Sequence, residues 1–215
     1  GEIVVIDGGS TDGTLQWLCK QSDIITVVQH NRQWTNNIPH RKESWGYFIN
    51  LGFKIARGEI VCMVSDDVLL LPGAIKNGLV MFLNDKMTAP SLGGVAFYYR
   101  EWPTAGPYFV YKLFGRLIQI NHGLFRRAAL EKVGYVDEVN YSFYRADNDL
   151  CLRLEEAGYR IEASEGSFVE HYANAVARIR ETNVQTLEAD SQRLYQRWST
   201  HYRTEDNPRR FYDRI

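Results

Sequence analysis

The residues best suited to chemistry sit in "IVCMVSDDVLLLPGAI", residues 60–75, where an apolar run delivers Ser65, Asp66 and Asp67 and then resumes. Two adjacent carboxylates repel each other and need a cation or a hydrogen-bonding cap. Mg2+ or Mn2+, which prefer oxygen ligands, would satisfy them and bridge a diphosphate. Successive side chains of an extended chain point to opposite faces, so one of the two acids is expected to be the direct ligand. The ordinary alternative is that they cap the following helix or pair with an arginine.

Three further groups have suitable residue types. In "VVIDGGSTDGT", residues 4–14, a strand delivers Asp7 to a turn. There Gly8 and Gly9 permit tight turning and close approach to a ligand, and Ser10, Thr11 and Asp12 can cap the next helix. Such a loop can hold a nucleotide, with Asp7 accepting from base or ribose; a well-made strand-to-helix turn is the plainer reading. In "RADNDLCLRLEEAG", residues 145–158, Asp149 suits a helix N-terminus, whereas Asp147, placed ahead of the helix, could serve as a general base. In "FVEHYANA", residues 168–175, His171 follows a strand. A single histidine is more often structural, and His171 gains chemical meaning only if the fold brings it to Asp67.

The elements that must position these groups alternate. Residues 2–7, 24–29, 59–64 and 92–100 read as strands, and 11–20, 45–56 and 72–83 as helices, the second stopping at Arg57-Gly58. Alternation implies a mostly parallel sheet with helices on both faces, which gathers ligands at the carboxyl ends of its strands. Asp7 and Asp66-Asp67 lie at such ends. Beyond residue 120 a helix, a Gly158 stop and another strand follow, with Leu150, Leu154 and Ala157 on one helical face. From about residue 176 the chain turns polar, helical and arginine-rich. We expect one domain over 1–175 and a C-terminal helical extension over 176–215.

The chain has 215 residues, with 25 Lys+Arg against 26 Asp+Glu and a net charge of −1. That balance argues against a nucleic-acid partner. Cys19, Cys62 and Cys151 show no metal spacing or disulfide pattern and read as buried free thiols of a reducing compartment. No apolar run is long enough to span a membrane, and no signal-peptide pattern opens the sequence, so a cytoplasmic setting is expected. The basic C-terminal segment reads as a solvated helix face or, alternatively, as a peripheral contact with the inner face of an anionic membrane.

Five segments in order resemble family-2 glycosyltransferases of the GT-A fold, a Rossmann-like α/β architecture. They are the "VVIDGGSTDGT" turn, "NLGFKIARGE" at 50–59, "SDD" followed by "PG", "FRRAALEKVGYVDE" at 125–138 and "ADNDLCLRLEEAGY" at 146–159. The resemblance implies an inverting transfer from a nucleoside-diphosphate sugar to a saccharide, lipid-linked or other hydroxyl acceptor. It implies that Asp67 binds Mn2+ or Mg2+ on the donor diphosphate, with His171 as a second ligand or diphosphate contact. Asp7, with Gly8, Gly9 and Ser10, would meet the nucleotide, and Asp66 the ribose. Arg41 and Lys42 would help hold phosphate. Asp147 would be the base, and His122 and Arg126 would face the acceptor and leaving group.

Three departures stand out. Ser65 replaces the first acid of the usual metal motif, Ala146 replaces the acid before the base, and the family's first strand–helix unit would precede residue 1. They motivate a rival reading, a catalytically silent domain of the same fold used for binding or assembly. A nucleotidyltransferase would need a glycine-rich basic triphosphate loop near its first strand.

Overall fold

The computed structural model describes residues 1–36, 38–41, 43–85, 91–103, 106–114, 117–172, 177–200 and 211–214. The chain opens with β1 (Ile3–Asp7), α1 (Thr14–Leu18) and β2 (Ile24–Val28), and β1 and β2 pair in parallel. A hairpin of β3 (Arg32–Thr35) and β4 (Ile38–Arg41) precedes α2 (Trp45–Ile55). Ser44 starts α2 by accepting the Tyr47 N–H on its side chain. The helix at 11–20 is shorter than expected, because Gly13 in the left-handed region takes the cap position and Asp12 accepts the Thr14 N–H instead.

Next come β5 (Ile60–Met63), β6 (Val68–Leu70), α3 (Ala74–Asn84) and the long β7 (Ser91–Glu101). A run of short strands follows, β8 (Phe109–Leu113), β9 (Leu117–Ile118) and β10 (Gly123–Arg126), and then α4 (Arg127–Val133) and α5 (Ala146–Glu156). The chain ends with β11 (Tyr159–His171), α6 (Ala177–Trp198) and β12 (Phe211–Arg214).

The expected mostly parallel sheet is corrected. Among the described strands only β1–β2 and β7–β11 pair in parallel; β10 lies antiparallel between β5 and β7, and β6 antiparallel against β11. The reason is connectivity. A parallel neighbour needs a helical crossover, whereas β10 is reached from β7 through the short β8–β9 excursion without a helix.

Helices do cover both faces. β7 is buried from Leu92 to Tyr99, and its alternation sends Ala96 and Tyr98 to one core and Val95, Phe97 and Tyr99 to another. The first core takes Phe53 of α2, Leu130 of α4 and Leu150 and Leu154 of α5; the second takes Phe82 of α3. Leu194 and Trp198 of α6 belong to the first core as well. The three cysteines are free, but only Cys151 is fully buried; Cys19 is exposed because it follows the short α1 on the surface.

Candidate functional site

Sheet register builds the first half of the site. In β11, His171 stands opposite Val68 of β6 on one side and Glu101 of β7 on the other. Asp67 directly precedes Val68, and its carbonyl accepts the Tyr172 N–H at 2.7 Å. His171 therefore sits between two carboxylates, with Nε2 3.4 Å from Asp67 Oδ2 and Nδ1 3.0 Å from Glu101 Oε2. Asp66 stays exposed on the turn, so one acid of the pair faces inward.

His122 enters from the start of β10. A Cβ at Gly123 would collide with the Val95 carbonyl, so glycine lets β10 close on β7 and bring His122 in. Its ring lies 5.2 Å from that of His171 and 5.6 Å from that of Tyr99, centroid to centroid. Burial, reinforced by the charge of His171, pushes the His122 imidazole down to about 4.

Burial also pulls on His171, but the hydrogen bonds and charges of Asp67 and Glu101 outweigh it and hold the imidazole at about 9. Burial opposes the Asp67 charge too, yet the His171 contact holds that carboxyl below its usual range. The sign for stability follows. A histidine raised from 6.5 to about 9 adds stability that is complete below about pH 6.5 and fades as pH rises through about 9. Metal-free protein unfolded in urea at about pH 6 and about pH 10 should lose stability at the higher pH. His171→Ala should lack that part of the loss. Identical pH dependence in the two proteins would contradict the pairing.

Asp67 Oδ1 and His122 Nδ1 are buried without a hydrogen-bond partner. Buried polar atoms left orphaned in this way point to an absent ligand or ion. Among the described residues no group of three or more His, Cys, Asp or Glu side chains is placed to hold a metal. One carboxylate and one imidazole are too few for an all-protein cage. They fit Mg2+ or Mn2+, which keep waters and take substrate phosphate oxygens.

The second half is built around Asp147. It lies inside the first turn of α5, where the sequence had placed it ahead of the helix. Its Oδ2 accepts from Gln119 Nε2 at 2.5 Å, and Gln119 Oε1 accepts from Asn148 Nδ2 at 2.8 Å. The second bond fixes which end of the Gln119 amide faces Asp147. Burial pushes the Asp147 carboxyl up, partly offset by the Gln119 hydrogen bond. The loop ahead of it is held by α6: fully buried Asp190 accepts the backbone N–H groups of Ser142, Phe143 and Tyr144, each at 3.0 Å. Gln119 and His122 share one short segment, so the two halves are mechanically joined. Asp149 is structural, bonded to Arg153 and Trp198.

Asp7 ends β1, and its Oδ1 accepts the Gly9 and Ser10 N–H groups at 2.8 and 2.9 Å. Burial disfavours its charge, but the Ser10 and Gly9 hydrogen bonds hold the carboxyl low. Gly9 has φ 94°, a conformation other residues rarely adopt. No hydrogen bond or ion pair among the described residues links this turn to Asp67 or His171.

Arg126 is not brought to the site. The antiparallel register sets it opposite Ile60, at the far end of β10 from His122, about 13 Å along an extended strand. There it pairs with Asp85 at 3.1 Å and donates to the Leu92 carbonyl. The Arg41 side chain and Lys42 lie outside the described residues. Sequence reading missed Glu101, Gln119 and Asp190. Of these only Glu101 carried a legible signal, an acid ending a strand, as Asp7 does.

The sequence profile of Glycosyl transferase family 2 matches residues 2–134. No curated protein matches the chain. Solved structures share its fold at low identity. S. aureus TarS in complex with UDP-GlcNAc is 16% identical with a TM-score of 0.59, over 90% of this chain and 57% of that one. The mannosyltransferase PcManGT from Pyrobaculum calidifontis, in complex with GDP-Man and Mn2+, is 18% identical with a TM-score of 0.59, over 91% and 55%. The chain thus spans little more than half the length of these structures.

Proposed function

The chain belongs to glycosyl transferase family 2, and from that premise we propose that it moves a sugar from a nucleoside-diphosphate sugar to an acceptor hydroxyl with inversion. The observation that carries this reading is the pairing of Asp67, with its orphaned inward oxygen, and His171, joined through one short segment to a half-buried Asp147. Structures of the same fold with UDP-GlcNAc, or with GDP-Man and Mn2+, support it.

In this reading Asp67 and His171 would hold Mn2+ or Mg2+ beside the donor diphosphate, and His122 lines the same wall. A bound cation there would offset the negative charge that grows on the departing diphosphate. Asp7, Gly8, Gly9 and Ser10 cradle the nucleotide, and Asp66 reaches the ribose. The acceptor oxygen attacks the anomeric carbon opposite the leaving group, the carbon–diphosphate bond breaks, and the acceptor proton passes to Asp147. A raised carboxyl is a better proton acceptor near neutral pH than an ordinary one. The acceptor is a saccharide, a lipid-linked sugar or another hydroxyl compound, as in polysaccharide or glycoconjugate synthesis. No helix among the described residues is long and apolar enough to cross a membrane; a lipid-linked acceptor would be met by peripheral contact in a cytoplasmic setting. Residues 1–175 form the body of the transferase domain; the expected C-terminal helical extension is realised as α6, which packs on the first core, while β12 adds a strand to β8 rather than more helix.

Thermal unfolding with UDP, GDP, dTDP and CDP, each with and without Mn2+, tests the donor half. Ligand at about 100 times its dissociation constant adds about 2.7 kcal/mol, a rise of roughly 5–10 °C for a domain of this size. One nucleotide is expected to give a metal-dependent rise that Asp67→Ala loses. Absence of any rise, with all four nucleotides and Mn2+ present, would favour the silent-domain reading.

A further inference from the structure

We propose that Glu101 is a positioning residue of the cation site, fixing the ring and tautomer of His171 through Nδ1. The inference rests on the reading of Asp67 and His171 as cation ligands.

Glu101 ends β7 and His171 ends β11, and the two are register partners in the parallel ladder. Their backbones are locked further. Trp102 N–H donates to the His171 carbonyl at 2.8 Å, and Tyr172 N–H donates to the Asp67 carbonyl at 2.7 Å. Glu101 and His171 thus stand side by side on neighbouring strands, with Asp67 directly ahead of β6 on the other side of β11, and have little freedom to slide. Arg100, the chain neighbour of Glu101, points to the opposite face and pairs with Glu170 at 2.6 Å.

The imidazole is oriented at both nitrogens, and the two ends differ. Nδ1 meets Glu101 Oε2 at 3.0 Å, a hydrogen-bond distance, whereas Nε2 meets Asp67 Oδ2 at 3.4 Å, beside the orphaned Oδ1. A neutral imidazole has one N–H and one lone pair. When Glu101 accepts from Nδ1–H, the lone pair falls on Nε2, on the Asp67 side, where a cation between the two would use it. A carboxylate behind a metal-bound histidine both selects this tautomer and makes the ring a better donor. Without Glu101 nothing in this geometry favours the Nε2 lone pair over the Nδ1 one. The Glu101 side chain is 43% exposed, so its removal leaves no buried hole.

The test is an electron paramagnetic resonance titration of the full chain with Mn2+, alone and with UDP. Glu101→Ala is expected to weaken Mn2+ binding about 10–100-fold, with the fold retained. Glu101→Gln, whose amide oxygen can still accept from Nδ1–H, is expected to recover most of the loss. Long-range 1H–15N spectra should show His171 protonated at Nδ1 in the parent with Mn2+ replaced by diamagnetic Mg2+, and a mixture of tautomers in Glu101→Ala. Parent-like Mn2+ binding in Glu101→Ala, alongside loss of binding in Asp67→Ala, would overturn the role of Glu101 and leave the site standing. Parent-like binding in Asp67→Ala would overturn the cation site, and this inference with it.

Discussion

Asp147→Asn is expected to lower sugar transfer by about 10²–10⁴, the usual worth of a positioned general base, with the fold retained. The amide oxygen of Asn can still accept from Gln119, so the geometry at the start of α5 survives while the proton acceptor is lost. The measurement is release of nucleoside diphosphate at saturating donor and acceptor. Two consequences separate this role from a structural one. Burial holds the Asp147 carboxyl above its usual range, so the parent should lose kcat/KM as pH falls through that raised value. The acid limb should vanish in Asp147→Asn. The Gln119 hydrogen bond favours the charged form, so Gln119→Ala should move the acid limb to higher pH.

The sign for stability is the reverse of the usual carboxylate case. An acid whose folded value lies above its unfolded one reduces stability as it ionises. Asp147→Asn should therefore match or exceed the parent in unfolding temperature near neutral pH. Undiminished transfer by a folded Asp147→Asn would remove Asp147 from the mechanism.

The largest loss of stability is expected from Asp149→Ala. Asp149 is fully buried and accepts from Arg153 Nε at 2.7 Å and Trp198 Nε1 at 2.9 Å, with Tyr141 Oη at 3.4 Å and Arg197 Nη1 at 3.3 Å. It ties α5 to α6 at the point where Trp198 enters the core. Removing one partner of a buried ion pair strands the other charge and typically destabilises by about 3–5 kcal/mol. For a domain of this size that lowers the unfolding temperature by roughly 6–20 °C. Arg57→Ala is the contrasting control. It breaks the Arg57–Glu2 pair at 3.0 Å, but the arginine side chain is 82% exposed, so no measurable change is expected. A small effect for Asp149→Ala would mean that α6 is held mainly by Leu194 and Trp198, and the C-terminal helix would then be less coupled to the Asp147 loop than the hydrogen bonds imply.

The local sequence was enough to place Asp7 at the end of β1 and Asp66 and Asp67 just beyond β5, and to expect their two side chains to face different ways. Strand alternation, glycine turns and cap residues act over a few neighbours, and those neighbours are written in order along the chain. It also carried the family resemblance, because each of the five motifs is one continuous segment.

What the sequence could not show were the partnerships between segments. His171 reaches Asp67 because β11 runs long enough to pair with β6, 100 or so residues earlier. His122 enters the site and Arg126 leaves it because β10 inserts antiparallel between β5 and β7, a choice made by the missing crossover rather than by either residue. Glu101 behind His171, Gln119 on Asp147 and Asp190 beneath the 142–144 loop are all contacts across such pairings. Register is set by burying both faces of β7 at once, a property of the whole sheet, and only the folded chain evaluates it.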